Sequence, residues 1–428
     1  MKKKSKIILL VIIVLGLGLS LIGGKLYLNY IENKELEEKK QLEEKQKEIK
    51  EKVEKHYNEY VKTTKETKIY SLANNEYIEA GIIASDVNLA LDEIEIDHNT
   101  KYFKISNLGN KYYVNYEDVL PSEKLEYEKR YTNYIPFDQT AITKESTKLY
   151  QDGKVIFSLQ EGMEKPIYII DGDKYYVEYE NELYYLLKSE ITEIKKSTNS
   201  NQVKASNIST VVYHFIYDPS KGEKCDQVIC HTVSQVQSHI DYLKNNNYFS
   251  LTMSEFEMWI DGKINLPKKS IVITIDDGWF GNNAANIFTE NKVNATLFLI
   301  TNAYEAKYYK TEYLEIHSHG YNLHRSACPG MGNQGGAILC LPTETIVSDL
   351  KLSSEKTFGS TVFAYPFYDY NSHAINALKK AGYTMAFGGM YANGSYNMKI
   401  GADKYRIPRV TFLNTATVET LKDVLATN

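Results

Sequence analysis

The stretch Ser270-Ile-Val-Ile-Thr-Ile-Asp-Asp-Gly-Trp279 joins an apolar run to a pair of neighbouring carboxylates. Residues 271–275 are mostly β-branched, which predicts a buried strand. Asp276 and Asp277 follow at its carboxyl end, and Gly278 then allows a sharp turn. Because two adjacent carboxylates repel each other, the pair indicates a metal site or acid–base chemistry. Capping of a following helix is the alternative, and it accounts for one aspartate better than for two.

The region around this stretch alternates strands with amphipathic helices. Repeated βα units predict an α/β fold whose parallel sheet closes, or nearly closes, into a barrel, with the site at the carboxyl ends of the strands. The predicted strands are 211–216, 270–275, 295–300, 362–365, 385–387 and 406–412. The predicted helices are 233–245, 283–291, 343–357, 372–381 and 418–426.

Three of the chain's nine histidines lie within eight residues, in Glu315-Ile-His-Ser-His-Gly-Tyr-Asn-Leu-His324. One histidine would more often be an ordinary polar group, but three in one segment indicate a shared role. With a carboxylate from another strand end they form an Asp-His-His set, which suits zinc and similar divalent ions. Three protein ligands leave coordination positions for water and substrate, as in catalytic sites.

Residues 210–428 resemble the NodB-type polysaccharide deacetylases of carbohydrate esterase family 4. Thr274-Ile-Asp-Asp-Gly278 matches the family's Thr-Phe-Asp-Asp-Gly motif, and Ala295-Thr-Leu-Phe-Leu-Ile300 matches its next strand. The resemblance implies a distorted seven-stranded (β/α) barrel, with Asp276 as general base and Asp277 as metal ligand. It also implies a divalent metal, with Zn²⁺ as the first choice and Co²⁺, Ni²⁺ or Mn²⁺ as alternatives.

The histidine motif departs from the family's common form, in which the two metal histidines are four residues apart. His319 and His324 are five apart, with Leu323 before the second. This form is similar to the branch that contains the poly-N-acetylglucosamine deacetylases. The resemblance therefore implies that His319 and His324 are ligands. His317 stands where the family usually has a small residue, so we expect it to have a supporting or surface role.

Phe363-Ala-Tyr-Pro-Phe367 stands where the family has an arginine-containing motif that ends in Pro-Tyr. The resemblance assigns the backbone N–H of Phe367 to the oxyanion, and a backbone donor tolerates a changed side chain. The absent arginine would orient the base aspartate. Arg409, in Arg406-Ile-Pro-Arg-Val410, is the candidate replacement, while packing or a surface ion pair is the alternative for it.

The family's late histidine, its general acid, has no counterpart after residue 400. His214, in Val212-Tyr-His-Phe215, resembles a Tyr-His found early in the same exported branch. A permuted order of barrel strands would bring His214 to the place of the acid. The alternative for His214 is a buried histidine with backbone partners, and His373 is a weaker candidate for the acid.

The first 60 residues predict attachment to a membrane. Four lysines precede the uncharged apolar run 7–24, whose 18 residues at about 1.5 Å each just span a hydrocarbon core. The lysines predict a cytoplasmic N-terminus, so we expect residues 1–30 to be a cytoplasmic tail and single-pass anchor. A cleavable signal peptide is the alternative, and both predict export of the remaining chain. The Glu/Lys-rich residues 31–60 predict a charged helical spacer or a weak coiled coil.

Residues 61–196 alternate strand-like segments with turns and contain two internal echoes. Thr67-Lys-Ile-Tyr70 is echoed by Thr147-Lys-Leu-Tyr150, and Lys111-Tyr-Tyr-Val-Asn-Tyr116 by Lys174-Tyr-Tyr-Val-Glu-Tyr179. The pattern predicts two small β modules, 61–130 and 131–196, similar to bacterial SH3-type wall modules. They would bind a wall polymer or serve as a passive stalk. The Ser/Asn/Lys-rich residues 197–209 predict a linker before the deacetylase domain.

The four cysteines suit an exported chain. Cys225 and Cys230 are close in sequence, as are Cys328 and Cys340, so local pairing predicts two disulfides outside a reducing cytosol. A zinc knuckle is the alternative, but neither spacing is the C-x2-C that such sites use. The net charge of −5 gives no reason to expect a nucleic-acid partner.

The resemblance implies metal-dependent N-deacetylation of an N-acetylhexosamine polymer, and the predicted anchor and disulfides place it on the surface of a Gram-positive-type cell. Peptidoglycan is the first choice of substrate, and an exported poly-N-acetylglucosamine is the second. An O-acetyl esterase on the same scaffold is an alternative. A wall-binding protein with a decayed barrel is another, although the joint presence of Asp276, Asp277, His319 and His324 argues against decay.

Overall fold

The computed structural model describes residue 40 and residues 60–83, 88–91, 102–107, 110–122, 130–179, 181–389 and 397–426. The chain divides into two compact units, Met1–Glu128 and Lys129–Asn428. The predicted anchor, 1–30, and nearly all of the predicted spacer, 31–60, lie outside the described residues. In the part that is described, no helix has both the length and the apolarity needed to span a membrane.

The first unit is built from antiparallel strands in two sheets. One sheet has the order β3–β2–β6–β5 and the other β4–β1–β7, and a 3-10 turn at Tyr116–Asp118 precedes the last strand. Ile69, Phe103 and Val114 are fully or almost fully buried in its core. Its described strands are β1 Tyr60–Thr63, β2 Thr67–Ala73, β3 Glu76–Ile83, β4 Asn88–Ala90, β5 Tyr102–Asn107, β6 Asn110–Asn115 and β7 Val119–Ser122.

The second unit begins with a β module that repeats this arrangement strand for strand. Its sheet order is β10–β9–β13–β12–β11–β8–β14, and a 3-10 turn at Lys188–Glu190 again precedes the last strand. Its strands are β8 Gln139–Thr143, β9 Thr147–Gln151, β10 Lys154–Leu159, β11 Glu164–Asp171, β12 Lys174–Tyr179, β13 Glu182–Leu187 and β14 Ile191–Lys196.

The two sequence echoes differ in what they mean structurally. Residues 67–70 and 147–150 lie in the equivalent strands β2 and β9. Residues 111–116 run through β6, whose counterpart is β13, whereas residues 174–179 form β12. The first echo therefore reflects the structural repeat, while the second joins strands that are not equivalent. The similarity to SH3-type wall modules stays a prediction.

The second β module and the barrel that follows form one compact unit. Their connection has no regular secondary structure, yet it pairs with both sides: Asn199 Nδ2 donates to the Phe137 carbonyl at 2.7 Å, and the Ala205 N–H donates to the Leu266 carbonyl at 2.8 Å. Residues 197–207 are therefore a packed connection, while residues 208 and 209 of the predicted linker already belong to the first barrel strand. The predicted boundary at 197–209 does not separate two compact units.

The barrel is closed by parallel strands. The order is β23–β22–β21–β20–β19–β15–β25, and a parallel bridge between Phe387 and Ile407 joins the two ends. The described strands of this region are β15 Ile208–Tyr213, β16 Phe215–Tyr217, β17 Cys230–Thr232, β18 Phe249–Ser250, β19 Ser270–Asp277, β20 Ala295–Leu299, β21 Leu314–Ser318, β22 Val362–Ala364, β23 Met385–Phe387, β24 Asn397–Met398 and β25 Val410–Thr411.

Helices cover the outside of the barrel, and all five predicted helices are confirmed to within two residues at each end. The helix Met253–Ile260 was not predicted, although a Thr252–Glu255 capping box marks its start. The described helices are α1 Val233–Asn245, α2 Met253–Ile260, α3 Gly281–Asn291, α4 Thr343–Lys356, α5 Ser372–Ala381 and α6 Val418–Leu425.

Strand β19 is buried from Ser270 to Asp276 because both of its faces are covered. Ile271, Ile273 and Ile275 pack outward in the cluster that contains the apolar faces of α1, α3 and α6. Val272 points the other way, into a cluster inside the barrel. Because side chains alternate along a strand, Asp276 shares the inner face with Val272.

Candidate active site

A cavity of about 540 Å³ opens at the carboxyl ends of the barrel strands. Every residue predicted to bind the metal or to act as the base lines this cavity. Several other lining residues were not predicted. Its lining residues are His214, Phe215, Gln227, Ile229, Asp276, Asp277, His319, His324, Asn333, Gln334, Phe367, Tyr368 and Thr411.

Asp277 reaches this cavity through an unusual backbone conformation. Strand alternation would direct its side chain outward, in line with Ile275. Its φ of 77° is left-handed, and Gly278 follows with a φ of 116°. A Cβ at Gly278 would lie 2.5 Å from Leu299 Cδ1, so no other residue fits there without a shift. Helix α3 begins after Phe280, and neither aspartate caps it, so the capping alternative is wrong.

Asp277, His319 and His324 converge on one point. Asp277 Oδ1 lies 3.3 Å from His319 Nε2 and 3.2 Å from His324 Nε2, and one ligand atom of each residue lies within 4.8 Å of the others. Asp277 Oδ1 is buried and has no hydrogen-bond partner among the described residues. This orphaned oxygen and the Asp-His-His donor set fit a divalent cation.

The orientation of His319 supports the same interpretation. Its Nδ1 lies 2.8 Å from the Ala364 carbonyl oxygen, and because a carbonyl only accepts, Nδ1 carries the hydrogen. The lone pair of Nε2 then points toward Asp277 and His324. Histidines that bind metals are commonly held in this way by a hydrogen bond from their second nitrogen.

Asp276 forms a bidentate ion pair with Arg409 inside the barrel. Arg409 Nη1 lies 2.7 Å from Oδ1, and Nη2 lies 2.8 Å from Oδ2. Burial alone would raise the pKa of Asp276, but the positive charge of the Arg409 guanidinium opposes burial, and the pKa lies below its usual range. Arg409 is fully buried, which excludes the surface ion pair considered for it. Its Nε also donates to the Gly388 carbonyl at 3.1 Å.

The three remaining histidine candidates have different surroundings. His214 lines the cavity, and its buried Nδ1 has no hydrogen-bond partner among the described residues. Burial lowers the pKa of His214, although Asp276 acts in the opposite direction. His317 lies outside the ligand group, with Nδ1 2.7 Å from Ser360 Oγ, and burial lowers its pKa to about 4. His373 donates to the Leu341 carbonyl at 2.9 Å and does not line the cavity.

Phe367 and Tyr368 form one wall of the cavity, with left-handed φ values of 59° and 60°. The Phe367 ring lies 4.5 Å from the His324 ring, centroid to centroid. The hydroxyl of Tyr368 pairs with Thr411 Oγ1 at 2.7 Å, and its ring lies 5.5 Å from the Arg409 guanidinium carbon. Tyr368 directly follows the Pro-Phe motif, which was the one sequence signal that could have indicated it.

Both predicted disulfides are confirmed, and both of the loops that they close reach the cavity. The Cys225–Cys230 loop contributes Gln227 and Ile229, and the Cys328–Cys340 loop contributes Asn333 and Gln334. The cysteine spacing locates both loops in the sequence. Nothing in that spacing indicates that they lie beside the aspartates.

A buried carboxylate holds the second of these loops in place. Asp369 is 2% exposed and accepts hydrogen bonds from the backbone N–H groups of Asn333, Gln334 and Gly336. Asn333 in turn donates from Nδ2 to the Phe367 carbonyl at 3.0 Å. The loop is thereby tied to the same turn that carries Phe367.

Comparison with known proteins gives a family match within the barrel. Residues 263–386 match the family model described as polysaccharide deacetylase. A candidate polysaccharide deacetylase of Bacillus subtilis (strain 168), YxkH, is 25% identical over 157 residues, which cover 35% of this chain and 56% of YxkH. The matched stretch therefore spans little more than half of that relative.

Two solved structures are also similar. A de-N-acetylase from Aggregatibacter actinomycetemcomitans has 20% identity and a TM-score of 0.43, over 51% of this chain and 99% of that one. IcaB from Ammonifex degensii has 17% identity and a TM-score of 0.42, over 53% of this chain and 98% of that one. The family match therefore places a polysaccharide deacetylase domain at residues 263–386, within the barrel.

Proposed function

We propose that the barrel removes N-acetyl groups from an N-acetylhexosamine polymer at the cell surface and depends on a divalent metal. The products are acetate and a free amine on the polymer. The observation that carries the proposal is the convergence of Asp277, His319 and His324 on one point, beside a base aspartate that Arg409 keeps charged.

Asp277, His319 and His324 would hold the cation. When bound, such an ion lowers the pKa of a water molecule toward ~7 and polarises the acetyl carbonyl. Zn²⁺ is the first candidate, because the donor set of two imidazoles and one carboxylate suits it.

Asp276 is the proposed general base. The bidentate contact with Arg409 keeps it ionised and fixes its orientation, so that it accepts a proton from the attacking water. The Phe367 N–H is the proposed donor to the tetrahedral oxyanion, and one such donor contributes about 3–4 kcal/mol.

His214 is the proposed proton donor to the departing amine. Among the described lining residues it is the histidine that does not belong to the ligand group. His214 faces the same cavity as Asp276, where a proton taken from water can be returned to the amine nitrogen.

Peptidoglycan is the proposed first substrate, and exported poly-N-acetylglucosamine is the second. The first rests on the proposed location: the apolar run 7–24 behind four lysines supports an anchor, and two disulfides support a compartment outside the cytosol. The second rests on the five-residue spacing of His319 and His324. A role of the β modules in holding a wall polymer belongs to the same proposal.

The test is acetate release from peptidoglycan, chitooligosaccharides, poly-N-acetylglucosamine and O-acetylated xylan, with and without added divalent ions. Asp277→Ala and His319→Ala should lose metal and activity together, while Asp276→Asn should keep metal and lose turnover. His373→Gln, whose side chain lies away from the cavity, is the matched control and should remain active. Full activity of Asp277→Ala would refute the metal site, and release from xylan alone would identify an O-acetyl esterase.

A further inference from the structure

A cluster of aromatic rings borders the cavity and has no part in the proposed reaction. We call Phe215, Tyr217, Trp279 and Phe280 the aromatic shelf. Trp279 is 40% exposed, whereas the chain's other tryptophan, Trp259, is fully buried. An exposed tryptophan two residues after a proposed metal ligand is positioned to contact a bound substrate.

The shelf is continuous with the cavity wall. Phe215 lines the cavity, and its ring meets Trp279 edge-on with centroids 5.0 Å apart. Trp279 stacks on Phe280 at 4.7 Å with an interplanar angle of 16°. Tyr217 extends the cluster, 6.4 Å from Phe280. A ligand that leaves the cavity past Phe215 therefore meets the exposed indole next.

The backbone holds these rings in place. Gly278 has a φ of 116°, and Phe280 has a left-handed φ of 58°, which non-glycine residues rarely adopt. The buried Asn283 ties the start of α3 to β16, because its Nδ2 donates to the Ile216 carbonyl at 3.0 Å. The two halves of the shelf are thus fixed to each other. Strained, well-supported backbone of this kind is concentrated at functional sites.

We propose that the aromatic shelf binds the pyranose ring next to the sugar that is deacetylated, by stacking on Trp279. This inference rests on the proposed function and specifies that the substrate is an oligomer or polymer. Pyranose rings present apolar C–H faces, which pack against flat aromatic rings, while amide side chains that line the cavity, such as Gln227 and Asn333, suit sugar hydroxyls.

Kinetics with N-acetylglucosamine oligomers of increasing length test the proposal. Trp279→Ala should raise KM for the hexamer about tenfold and leave KM for the monosaccharide unchanged. Trp279→Phe should bring KM for the hexamer most of the way back to the wild-type value. Phe358→Ala is the matched control, because Phe358 is 55% exposed and follows α4, at the opposite end of the barrel strands. If KM for the hexamer is unchanged in Trp279→Ala, the proposal that the aromatic shelf binds the substrate is wrong.

Tryptophan fluorescence separates failure of the shelf from failure of the proposed reaction. The chain has two tryptophans, and Trp259 is shielded from solvent, so binding of the hexamer to Asp276→Asn should alter the emission of Trp279. The double variant Asp276→Asn/Trp279→Phe should lose that response. A wild-type protein that releases no acetate but keeps the response contradicts the reaction and supports the shelf. The same response in both variants, or none in either, contradicts the shelf.

Discussion

Arg409 and Asp276 illustrate how the fold brings together two charged residues that lie far apart in the chain. The two side chains are 133 residues apart in sequence, yet they form two hydrogen bonds in the barrel interior. Arg409 lies just before β25, which pairs with β15, and β15 pairs with β19. Closure of the barrel therefore brings the guanidinium into contact with the carboxylate that we propose as the base.

Replacing Arg409 should damage both folding and turnover. Arg409→Gln leaves a buried carboxylate unpaired, so we expect a loss of about 3–5 kcal/mol in the free energy of unfolding. Turnover should also fall, while metal content is unchanged. Urea denaturation and metal analysis test this, with Arg406→Gln as the control, because Arg406 forms an exposed pair with Asp403 worth about 1 kcal/mol or less. Partial recovery of stability in Arg409→Gln/Asp276→Asn would support the mechanism, and full stability of the single variant would contradict it.

His231 should make the barrel sensitive to mild acid. It is fully buried, its Nε2 lies 2.8 Å from the Leu413 carbonyl oxygen, and burial lowers its pKa from 6.5 to about 4. The unfolded chain therefore binds more protons than the folded one between these values. The contribution of His231 to the free energy of unfolding is therefore fully present above pH 6.5. It is lost as the pH falls toward 4, and the loss is at most about 3 kcal/mol.

Denaturation curves at pH 7 and pH 5 measure this effect. His231→Gln keeps a donor for the Leu413 carbonyl but cannot titrate, so its stability should change less between the two pH values. His239 is also buried with a lowered pKa, so part of the dependence should persist. An identical pH dependence in wild type and His231→Gln would show that His231 is not responsible.

At the level of loops and helices, the candidate active site is bordered by loops that are held in place by a disulfide or by hydrogen bonds to a buried side chain. The Cys328–Cys340 loop is closed by its disulfide and is also held by the buried Asp369. Each anchor restrains a segment that has little regular structure of its own. Restraint of this kind keeps Asn333 and Gln334 at the cavity without requiring a longer helix or strand there.

Asp369→Asn tests the importance of this anchor. The amide has one acceptor oxygen where the carboxylate has two, so at least one backbone N–H of the loop loses its partner. We expect a loss of about 1–3 kcal/mol in the free energy of unfolding and a higher KM for oligomers, with metal content unchanged. Asp403→Asn is the matched control, because Asp403 also accepts a backbone N–H but is exposed. An unaltered KM would mean that the loop does not contribute to substrate binding.

At the level of the complete chain, the second β module is part of the structural core of the deacetylase unit. Arg130 Nε donates to Glu255 at 2.7 Å, and the Tyr134 hydroxyl donates to the same carboxylate at 3.0 Å. Backbone hydrogen bonds of 2.9 Å link Ile135 to Asn265 and Ile170 to Lys263. Tyr134 and Ile264 belong to one apolar cluster.

A shortened chain of residues 208–428 should therefore be less stable than one of residues 129–428. Removal of the module uncovers Ile264 and Leu266, which are fully buried, and leaves Glu255 without Arg130. Thermal unfolding and size-exclusion chromatography should show a lower midpoint or aggregation for 208–428. Equal midpoints for the two chains would mean that the module contributes no stability to the barrel.

Features that depend on local pattern could be predicted from the sequence. Helices α1 and α5 match their predicted bounds because the apolar spacing and the capping residues that define them are local in sequence, within about a dozen residues. The Asp276-Asp277 pair, the histidine motif and both disulfides depend on similarly short spacings. The family resemblance added the roles of these residues, which spacing alone does not indicate.

Features that depend on closure and packing could not be predicted in this way. The pairing of Arg409 with Asp276, the position of both disulfide loops at the cavity and the fusion of the β module with the barrel join residues that are distant in sequence. Such contacts depend on which strands become neighbours when the sheet closes. They also depend on which apolar surfaces of the barrel remain exposed and are then buried by another segment. Backbone propensity and residue spacing act over a few turns of chain, so they carry little information about these longer-range contacts.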